Sequence, residues 1–553
     1  MKISFLGAAK LVTGSNYLIE TDHCKFVIEC GLFQGNKAIG RLNFQPFKFN
    51  PKEIDFMLLS HAHIDHSGRI PKLVKEGFEG KIYCTKATYD LCSIMLPDSA
   101  YIQEMETVWD NRKRKRSGKK LRKPLYTVEE AKQSLKHFSA VLYNQSIKVN
   151  EEITIRFVDA GHILGSAIIE LWISEKGKEI KLVFSGDLGR RNRPILRDLS
   201  RVKNADYIIV ESTYGNKKHH PSTDDARELI SIINRSFKNG GNVVIPSFAI
   251  ERAQDIIYEL NKYYDEFIKT KDQDFLQVPV YVDSPLTVSA TEIFERNPDC
   301  FDEKTLELIK AGDNPLDFHN LIFTQNVEES KKINETPQSK VIISASGMCN
   351  AGRIKHHLKH NLWKSESGIV FVGYQAEGTL GRRLKDGEKS VKLFGEDIQV
   401  NAKIYSLDGF SGHADKEGII WWLKGFQNVP KKIFIVHGEE KAAREISIKI
   451  QEELNIATYI PELGETLLIE GEAVTSREKV SLEERSEQHK KIEENLEKLK
   501  SSIWLAIQKL EQDSENGKEN GELIKINNKL IQLQKESAEL NMLLTRKTKE
   551  KKD

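Results

Sequence analysis

Short apolar runs separated by turns organise the first 210 residues of the chain. The N-terminal segment MKISFLGAAKLVTGSNYLIE alternates apolar and polar residues around a glycine turn, which predicts a β-hairpin. Further apolar runs, such as IDFMLLS and ITIRFVD, each lead into a polar or glycine-rich loop. Because α/β proteins carry their chemistry on such loops at strand ends, the pattern predicts a layered α/β domain over residues 1–210.

Residues 211–395 show a different alternation. Helix-like stretches such as DDARELISIINRSF and AQDIIYELNKYYDEF are interleaved with buried-type strands such as NVVIPSF and KVIISAS. This order predicts a second, doubly wound α/β domain. Short strands return over residues 396–475, so we expect the second domain to be inserted into the first, which closes only after it.

Residues 476–553 carry a heptad pattern. Apolar residues recur in steps of three and four from 492 to 510 and again from 523 to 544, on either side of the polar segment DSENGKENGE. The pattern predicts a C-terminal helical hairpin or coiled coil. Packing of this hairpin on the chain itself, packing on a second copy in a homodimer, and recruitment of a partner protein all stay open.

Composition adds limits on location and partners. The chain has 83 Lys+Arg and 81 Asp+Glu, so any nucleic-acid binding must come from local patches. Six scattered cysteines without a CxxC pair argue against a disulfide framework and fit a reducing compartment. No apolar run approaches the ~20 residues that span a bilayer. The expected location is therefore the cytoplasm, without a membrane segment.

One local patch is strongly basic. The run RKRKRSGKKLRK, residues 112–123, holds nine basic residues in twelve. Such a run can bind RNA phosphates with release of counterions, or it can form a solvated, mobile loop, and both interpretations stay open. No aromatic residue interrupts the run, which argues against sequence-specific reading of bases there.

The stretch SHAHIDHSGRIP places four candidate metal ligands within six residues, directly after an apolar strand. They are His61, His63, Asp65 and His66. On a loop that leaves a strand all four can converge, and imidazole with carboxylate suits zinc and similar divalent ions. The spacing alone does not say whether they hold one metal or two.

Three more candidates occur at strand ends beside glycine. His162 lies in DAGHILGSA, Asp187 in VFSGDLG and His437 in IFIVHGEE. A single such residue is typical of a structural cap, but three in the same context favour metal ligation. We therefore expect these residues to complete a site that the first motif begins.

The motifs together resemble a known family. HxHxDH, GHxLGS and SGDxG resemble the metallo-β-lactamase fold of dinuclear hydrolases. VESTYGN, SGHAD and VHGEE narrow the resemblance to the β-CASP nucleases, in a bacterial RNA-processing branch similar to ribonuclease J and the pre-mRNA 3′-end processing endonuclease. The resemblance covers about residues 1–470. It implies an αββα metallo-β-lactamase sandwich with an inserted β-CASP domain, ahead of the C-terminal hairpin.

The resemblance also implies ligand roles. One ion is expected at His61, His63 and His162, a second at Asp65, His66 and His437, with Asp187 bridging the two. The cofactor implied is two Zn²⁺ per chain, with Mn²⁺ as an alternative. A histidine at position 437 is similar to the RNA-processing members, which favours single-stranded RNA as the partner.

One position departs from the family pattern. The family usually has Asp before the glycine loop that reads CGLFQG here, whereas this chain has Glu29. In the family that residue supports the ligands and does not bind metal. Because Glu is one methylene longer, its contacts must be arranged differently, with reduced activity or a shifted loop as the two alternatives.

The implied chemistry is hydrolysis of a phosphodiester by a hydroxide that two metals activate, leaving a 5′-phosphate and a 3′-hydroxyl. His413, held by Glu211, is the candidate acid for the leaving oxygen. Endonuclease and 5′–3′ exonuclease action both stay open. Two other functions also remain as alternatives: a small ester or thioester hydrolase of the same fold, and a non-catalytic RNA-binding scaffold.

Two glycine-rich segments, SASGMCNAGR and VGYQAEGTLGRR, resemble the phosphate-binding turns of the RNA-acting branch. The candidate phosphate-binding residues are Ser346, Gly347, Met348, Arg353, Gln375, Thr379 and Arg382. Neither segment has the GK[ST] ending of a Walker loop, so an ATPase is unsupported. The nearby run RIKHHLKH is expected to form a basic helix face, with a further metal site at His356, His357 and His360 as the alternative.

Overall fold

Two β-sheets lie face to face in the part of the chain that carries the predicted metal ligands. The computed structural model describes residues 1–175, 177–219, 222–270, 278–470 and 473–478. Within these residues, the strands of the first sheet are, in spatial order, Ala473–Glu478, Glu465–Glu470, Lys2–Phe5, Tyr17–Glu20, Lys25–Ile28, Phe56–Leu58, Lys81–Thr85 and Phe138–Val141. Those of the second sheet are Thr458–Tyr459, Lys432–Val436, Tyr207–Glu211, Lys178–Phe184, Ala167–Glu175, Ile153–Asp159 and Ser146–Lys148.

The predicted N-terminal hairpin is confirmed, because Lys2–Phe5 pairs antiparallel with Tyr17–Glu20. Apolar side chains alternate toward the space between the sheets, where Phe5 meets Phe434 with ring centroids 5.6 Å apart. Each such fully buried side chain contributes about 1.5–3 kcal/mol through removal of its apolar surface from water. This inter-sheet core fixes the two sheets relative to each other.

Helices cover the outer face of each sheet. The helices Ile70–Lys75 and Lys86–Arg116 pack on the first sheet, and Lys416–Leu423 and Glu440–Leu454 pack on the second. The αββα arrangement that the resemblance implied is therefore confirmed. The other α-helices of the described residues are Lys37–Arg41, Ile64–Ser67, Val128–Ser134, Ser222–Lys238, Arg252–Thr270, Pro285–Glu295, Glu303–Lys310, Val327–Glu335, Ile354–Asn361 and Leu380–Lys385.

A third sheet lies between the two halves of the sandwich in sequence. Its strands, all parallel, are Leu321–Phe323, Val280–Val282, Val341–Ser344, Val243–Pro246, Gly368–Phe371 and Lys403–Ser406. A separate antiparallel hairpin pairs Ser390–Leu393 with Glu396–Gln399. Together with its helices, the parallel sheet confirms a second α/β fold in this part of the chain.

One strand belongs to a different sheet than the sequence suggested. Lys403–Ser406 was expected among the strands that return to the first domain, but it pairs with Gly368–Phe371 in the third sheet. The apolar pattern of a four-residue strand predicts the strand and not its neighbour, which tertiary packing decides. The predicted domain limits, 1–210, 211–395, 396–475 and 476–553, stay predictions.

The chain leaves and re-enters the sandwich at neighbouring strands. Tyr207–Glu211 pairs in parallel with Lys432–Val436, with Glu211 opposite Val436. Side chains at the ends of these two strands therefore lie next to each other, although they are far apart in sequence. The heptad stripe predicted between 492 and 544 lies outside the described residues. No helix of the described residues has both the length and the apolar character that crossing a membrane requires.

Candidate metal centre and catalytic site

The first motif changes conformation in its middle. After the strand Phe56–Leu58 the chain is extended through His61 and His63, and the helix Ile64–Ser67 begins immediately afterwards. His61 and His63 therefore point from an extended segment, whereas Asp65 and His66 lie on the first helical turn. The change of conformation sends the four side chains to two neighbouring groups.

The first group consists of His61, His63, His162 and Asp187. The Nδ1 atom of His63 lies 3.2 Å from Nε2 of His61 and 3.2 Å from Nε2 of His162. The Oδ2 atom of Asp187 lies 3.5 and 3.6 Å from the same two Nε2 atoms. One ligand atom from each of the four residues lies within 4.8 Å of the others.

The second group consists of Asp65, His66 and His437. The Nε2 atoms of His66 and His437 are 3.1 Å apart, and Asp65 Oδ2 is 3.5 Å from Nε2 of His437. Asp187 reaches this group as well, because its Oδ2 is 3.3 Å from Nε2 of His66. Asp187 thus lies between the two groups, next to donors of both.

The protonation of the first group fits divalent cations. Burial lowers the pKa of His61 and His162 well below the usual value and that of His63 to about 4, so the three rings are neutral. Burial would raise the pKa of Asp187, but the surrounding histidines hold it well below the usual range. Neutral imidazoles and an ionised carboxylate are the forms that ligate metals.

Two further observations support a cation at this place. Three imidazole nitrogens meet at 3.2 Å, and Nδ1 of His61 already bonds Ser60 Oγ at 2.9 Å, which leaves the lone pair of Nε2 facing the other rings. The buried Oδ1 atom of Asp187 has no hydrogen-bond donor among the described residues. Converging lone pairs repel unless a cation lies between them, so the residues present fit a metal ion.

Glu29 connects the two groups from behind. Its carboxylate accepts hydrogen bonds from the backbone N–H of Ser60 at 2.7 Å and from Ser60 Oγ at 3.1 Å, and it contacts Nδ1 of His66 directly. Ser60 Oγ in turn contacts Nδ1 of His61. One carboxylate therefore orients a histidine in each group, directly for His66 and through Ser60 for His61.

His413 and Glu211 form a pair beside the first group. Nδ1 of His413 lies 3.2 Å from Oε1 of Glu211, and its ring centroid is 4.4 Å from that of His162. The buried Glu211 is fixed by backbone N–H groups of Leu188 at 2.7 Å and Thr213 at 3.2 Å. Burial lowers the pKa of His413, but Glu211 and the nearby Asp187 raise it more, so the net shift is upward.

Close backbone contact brings His413 to the centre. Gly189 forms an isolated bridge with His413, and a Cβ atom on Gly189 would lie 1.8 Å from the carbonyl oxygen of Gly161. Only glycine permits this approach. The side chain of His413 remains 16% exposed and that of Asp65 20%, whereas those of His61, His66, His162, Asp187 and His437 are at most 4% exposed. His413 and Asp65 therefore mark a solvent-facing side of the centre.

Comparison with known proteins identifies the family. Three family models match: the Metallo-beta-lactamase superfamily domain over residues 18–209, the Beta-Casp domain over 253–384, and the Zn-dependent metallo-hydrolase RNA specificity domain over 397–461. Ribonuclease TTHA0252 of Thermus thermophilus is 35% identical over 441 residues, which cover 80% of this chain and 94% of that protein. The chain belongs to the β-CASP family of metallo-β-lactamase-fold hydrolases.

Other relatives agree with this assignment. Transcription termination factor FttA of Methanocaldococcus jannaschii is 30% identical over 472 residues, covering 83% of this chain and 70% of the relative. The FttA protein of Methanosarcina mazei is 31% identical with the same coverage. The resemblance drawn from the motifs is confirmed, as are a hydrolase of the nuclease class and the need for a metal cofactor.

The β-CASP part of the enzyme places one predicted phosphate-binding turn next to the metal centre. A Cβ atom on Gly347 would lie 2.8 Å from the ring of Phe248, and that ring lies 6.2 Å from His63 between centroids. The turn of Ser346, Gly347 and Met348 is therefore within reach of a substrate at the first group. Its backbone is held by Gln375, whose Nε2 donates to the carbonyl of Gly347 at 2.9 Å.

Other predicted phosphate-binding residues are engaged within the protein. Arg353 donates to the buried carboxylate of Asp283 at 2.6 Å and to the carbonyl of Gln325 at 2.9 Å. Thr379 is fully buried and caps the helix Leu380–Lys385. Arg382 makes two 2.9 Å bonds to Asp386 at the surface. For Arg353 and Thr379 the contacts favour support of the turns.

The histidines of the helix Ile354–Asn361 lie in different surroundings. His357 is fully buried, and its Nε2 lies 2.6 Å from Oδ2 of Asp283. His356 stacks on Phe394 with centroids 4.4 Å apart. The groups of converging metal-binding side chains found among the described residues do not include these histidines. His357 therefore does not belong to a basic surface, contrary to the sequence interpretation.

Several supporting residues were not expected from the sequence. Thr213 Oγ1 lies 3.0 Å from Nδ1 of His437, which leaves Nε2 of that ring for the second group. Arg193 donates to the backbone carbonyl of His162 at 3.1 Å and also contacts Asp255 of the inserted part. Ser60 directly precedes the first motif, so its position was a usable signal. The contacts of Arg193 have no counterpart in local sequence spacing.

Proposed function

We propose that this protein hydrolyses phosphodiester bonds of single-stranded RNA at two Zn²⁺ ions and leaves a 5′-phosphate and a 3′-hydroxyl. The observation that carries the proposal is the convergence of two donor groups around Asp187, beside the Glu211–His413 pair. A catalytic centre of this composition, open at His413 and Asp65, suits an anionic ester that approaches from the solvent.

The metal ligands are assigned by donor group. His61, His63 and His162 would hold one ion, Asp65, His66 and His437 the other, and Asp187 would contact both. Two divalent ions in such a site lower the pKa of a water molecule between them and neutralise charge on the phosphodiester. Zinc suits these nitrogen and oxygen donors, and manganese is the alternative.

His413 would act on the leaving group. In-line displacement at phosphorus breaks the bond to the 3′ oxygen, which needs a proton as it departs. Glu211 raises the pKa of His413, which favours its protonated form, and fixes the ring through Nδ1 so that Nε2 can donate. Glu211 would then serve as the positioning carboxylate and His413 as the general acid.

Support for RNA comes from two sources. The chain matches the model of an RNA specificity domain over residues 397–461, a range that includes His413 and His437. A relative that aligns with 80% of this chain is named a ribonuclease. The backbone of the Ser346–Met348 turn, together with Arg382, would bind phosphates on either side of the cleaved bond.

Two other functions make different demands on the site. A small ester or thioester hydrolase has no need of a second α/β fold over its centre or of a separate proton donor such as His413. A non-catalytic scaffold would not need its ligands, yet all seven predicted donors are present and converge here.

End-labelled RNAs test the proposal. RNAs of one sequence, carrying a 5′-triphosphate, a 5′-monophosphate or a 5′-hydroxyl, are incubated with the zinc-loaded protein, and the products are sized over time. We expect 5′-phosphorylated products, either mononucleotides from the 5′ end or internal fragments, and no products from Asp187→Ala purified in parallel. Turnover of a thioester with intact RNA would favour the small-ester hydrolase, and zinc binding without any turnover would favour the scaffold.

A further inference from the structure

A basic arm extends from the region of the metal centre. We define the basic arm as residues 101–123, the last part of the helix Lys86–Arg116 with the turn that follows it. The helix is anchored at its start, because Thr88 Oγ1 donates a 2.9 Å hydrogen bond to the carbonyl of Gly165 in the loop that carries His162. The helical part of the arm is about 22 Å long at 1.5 Å per residue.

The basic side chains of residues 112–123 are almost all without an ion-pair partner among the described residues. Of the nine basic side chains between residues 112 and 123, eight are exposed and Arg114 is half-buried. Among the ion pairs of the described residues, one involves this run, between Arg122 Nη1 and Asp110 Oδ2 at 3.7 Å. The helix dipole favours cations only within the last turn, so it does not account for the basic residues 119–123 that follow the helix.

Hydrogen bonds fold the basic run into a defined shape. The side chain of Asn111 donates to the carbonyl of Arg122 and accepts from its N–H, both at 2.8 Å. Nε of Arg114 donates to the carbonyl of Lys120 at 2.6 Å. The run therefore turns back on its own helix and presents its charges together.

The helix adds the aromatic surface that the run lacks in sequence. Tyr101, Met105, Val108 and Trp109 follow each other at helical spacing, and they are 55%, 38%, 43% and 62% exposed. The guanidinium of Arg112 lies over the ring of Trp109, 5.1 Å from its centroid. Aromatic faces beside cations are the surface on which single-stranded nucleic acids stack their bases.

We propose that the basic arm binds single-stranded RNA outside the metal centre, with bases stacked on Tyr101 and Trp109 and phosphates paired with the basic run. The inference rests on the proposed function and specifies how the substrate extends from the centre. A polyanion is favoured over a protein or a second copy of the chain, because the basic run makes one ion pair for its nine basic residues among the described residues.

The test compares three variants in a His413→Ala background, in which cleavage of RNA is expected to be about 100-fold slower or more. Trp109→Ala removes the stacking face. A quadruple Lys→Gln variant at residues 113, 115, 119 and 123 removes charge but leaves the hydrogen bonds of Asn111 and Arg114 in place. Trp363→Ala is the matched control, since Trp363 is 54% exposed and also has a cation, Lys364, over its ring.

Fluorescence anisotropy with a labelled RNA of about 30 nucleotides gives the affinity at several salt concentrations. Trp109→Ala should weaken binding by about 5- to 150-fold. The quadruple variant should reduce the slope of log K against log salt by about 0.7 for each phosphate that it no longer neutralises. Trp363→Ala should leave both quantities unchanged, and all variants should melt at the parent temperature because the altered side chains are exposed.

Separate measurement of KM and kcat distinguishes an effect on the arm from an effect on the catalytic centre. With His413 intact, Trp109→Ala should raise KM for the long RNA, leave kcat unchanged, and have no effect on an RNA of about 6 nucleotides that is too short to reach the arm. If the parent protein cleaves RNA but the arm variants bind it like the parent, the arm proposal is wrong. It is also wrong if Trp363→Ala loses as much affinity, or if the variants only change self-association in sedimentation. Absence of RNA binding and cleavage by the parent would instead refute the proposed function.

Discussion

Glu29 should control metal binding at both donor groups, and its replacement can be compared with a change that affects one group only. Its carboxylate contacts His66 directly and reaches His61 through Ser60. We expect Glu29→Gln and Glu29→Asp to weaken the binding of both zinc ions. Ser60→Ala should weaken mainly the ion held by the group that contains His61.

The magnitude follows from the hydrogen bonds that Glu29 makes. Removal of the partner that orients a ligating histidine typically lowers metal affinity by about 10- to 100-fold, which corresponds to about 1.4–2.8 kcal/mol. The backbone of Glu29 is fixed by hydrogen bonds with Leu58 and Asn16. An Asp carboxylate would therefore stop about 1.5 Å short of His66, too far for a hydrogen bond.

Zinc titration with elemental analysis measures the effect. The proteins are equilibrated in buffers of graded free zinc, and bound zinc per chain is plotted against free zinc, with thermal melting as the control for folding. Asp tolerates the positive φ of 63° at position 29 better than Glu does, so Glu29→Asp should fold normally. If Glu29→Asp binds both ions as tightly as the parent, the carboxylate does not orient the ligands as argued.

Changes elsewhere lead to three other expected results. His413→Ala should keep the parental zinc content while kcat on RNA falls by about 100-fold or more, and an unchanged kcat would contradict its role as proton donor. Asp283→Asn should destabilise the protein by about 3–5 kcal/mol in urea unfolding at pH 7, because this buried carboxylate accepts bonds from Arg353 and His357 at 2.6 Å each. Burial alone would raise the pKa of Asp283, but hydrogen bonds from His357, Ser330 and Thr324 lower it, so the stabilisation by the ionised carboxylate is present above about pH 4. The difference in the free energy of unfolding between parent and variant should therefore narrow as the pH falls below 4. A difference that stays constant would argue against an ionised carboxylate. Zinc removal by a chelator should lower the melting temperature, and zinc addition should restore it. At 100 times its dissociation constant, zinc should stabilise the folded protein by about 2.7 kcal/mol. Equal melting temperatures with and without zinc would argue against the metal centre.

The sequence predicted the candidate site best where metal-binding side chains directly follow a strand. The spacing of His61, His63, Asp65 and His66, read after an apolar run, indicated that these side chains converge, and the structure brings them together with His162, Asp187 and His437. Strand ends can be recognised from alternation and glycine. The strand before the first motif lies in the first sheet, whereas the strands before His162, Asp187 and His437 lie in the second, so the meeting of these ends depends on how the two sheets pack. The assignment of each donor to an ion remains a prediction.

Local sequence patterns could not predict contacts between segments that are distant in the chain. Arg353 lies in a glycine-rich turn that resembles a phosphate-binding segment, yet its guanidinium bonds Asp283, 70 residues earlier. Nothing in the spacing of either residue records that contact. The aromatic face of the basic arm was missed for a related reason, because Trp109 lies outside the basic run in sequence and joins it only through the helical repeat.

The pairing of Tyr207–Glu211 with Lys432–Val436 has a consequence for biosynthesis. Thr213 and His437, which lie at the ends of these strands and contact each other, are 224 residues apart. During translation, the side of Tyr207–Glu211 that pairs with Lys432–Val436 stays unpaired until the segment after residue 432 has left the ribosome. Until then the second donor group also lacks His437. A nascent chain that already contains the whole first motif therefore cannot complete its centre. The protein would therefore become able to hydrolyse RNA only late in its synthesis. This delay would protect the messenger RNA from cleavage by the nascent chain that it encodes.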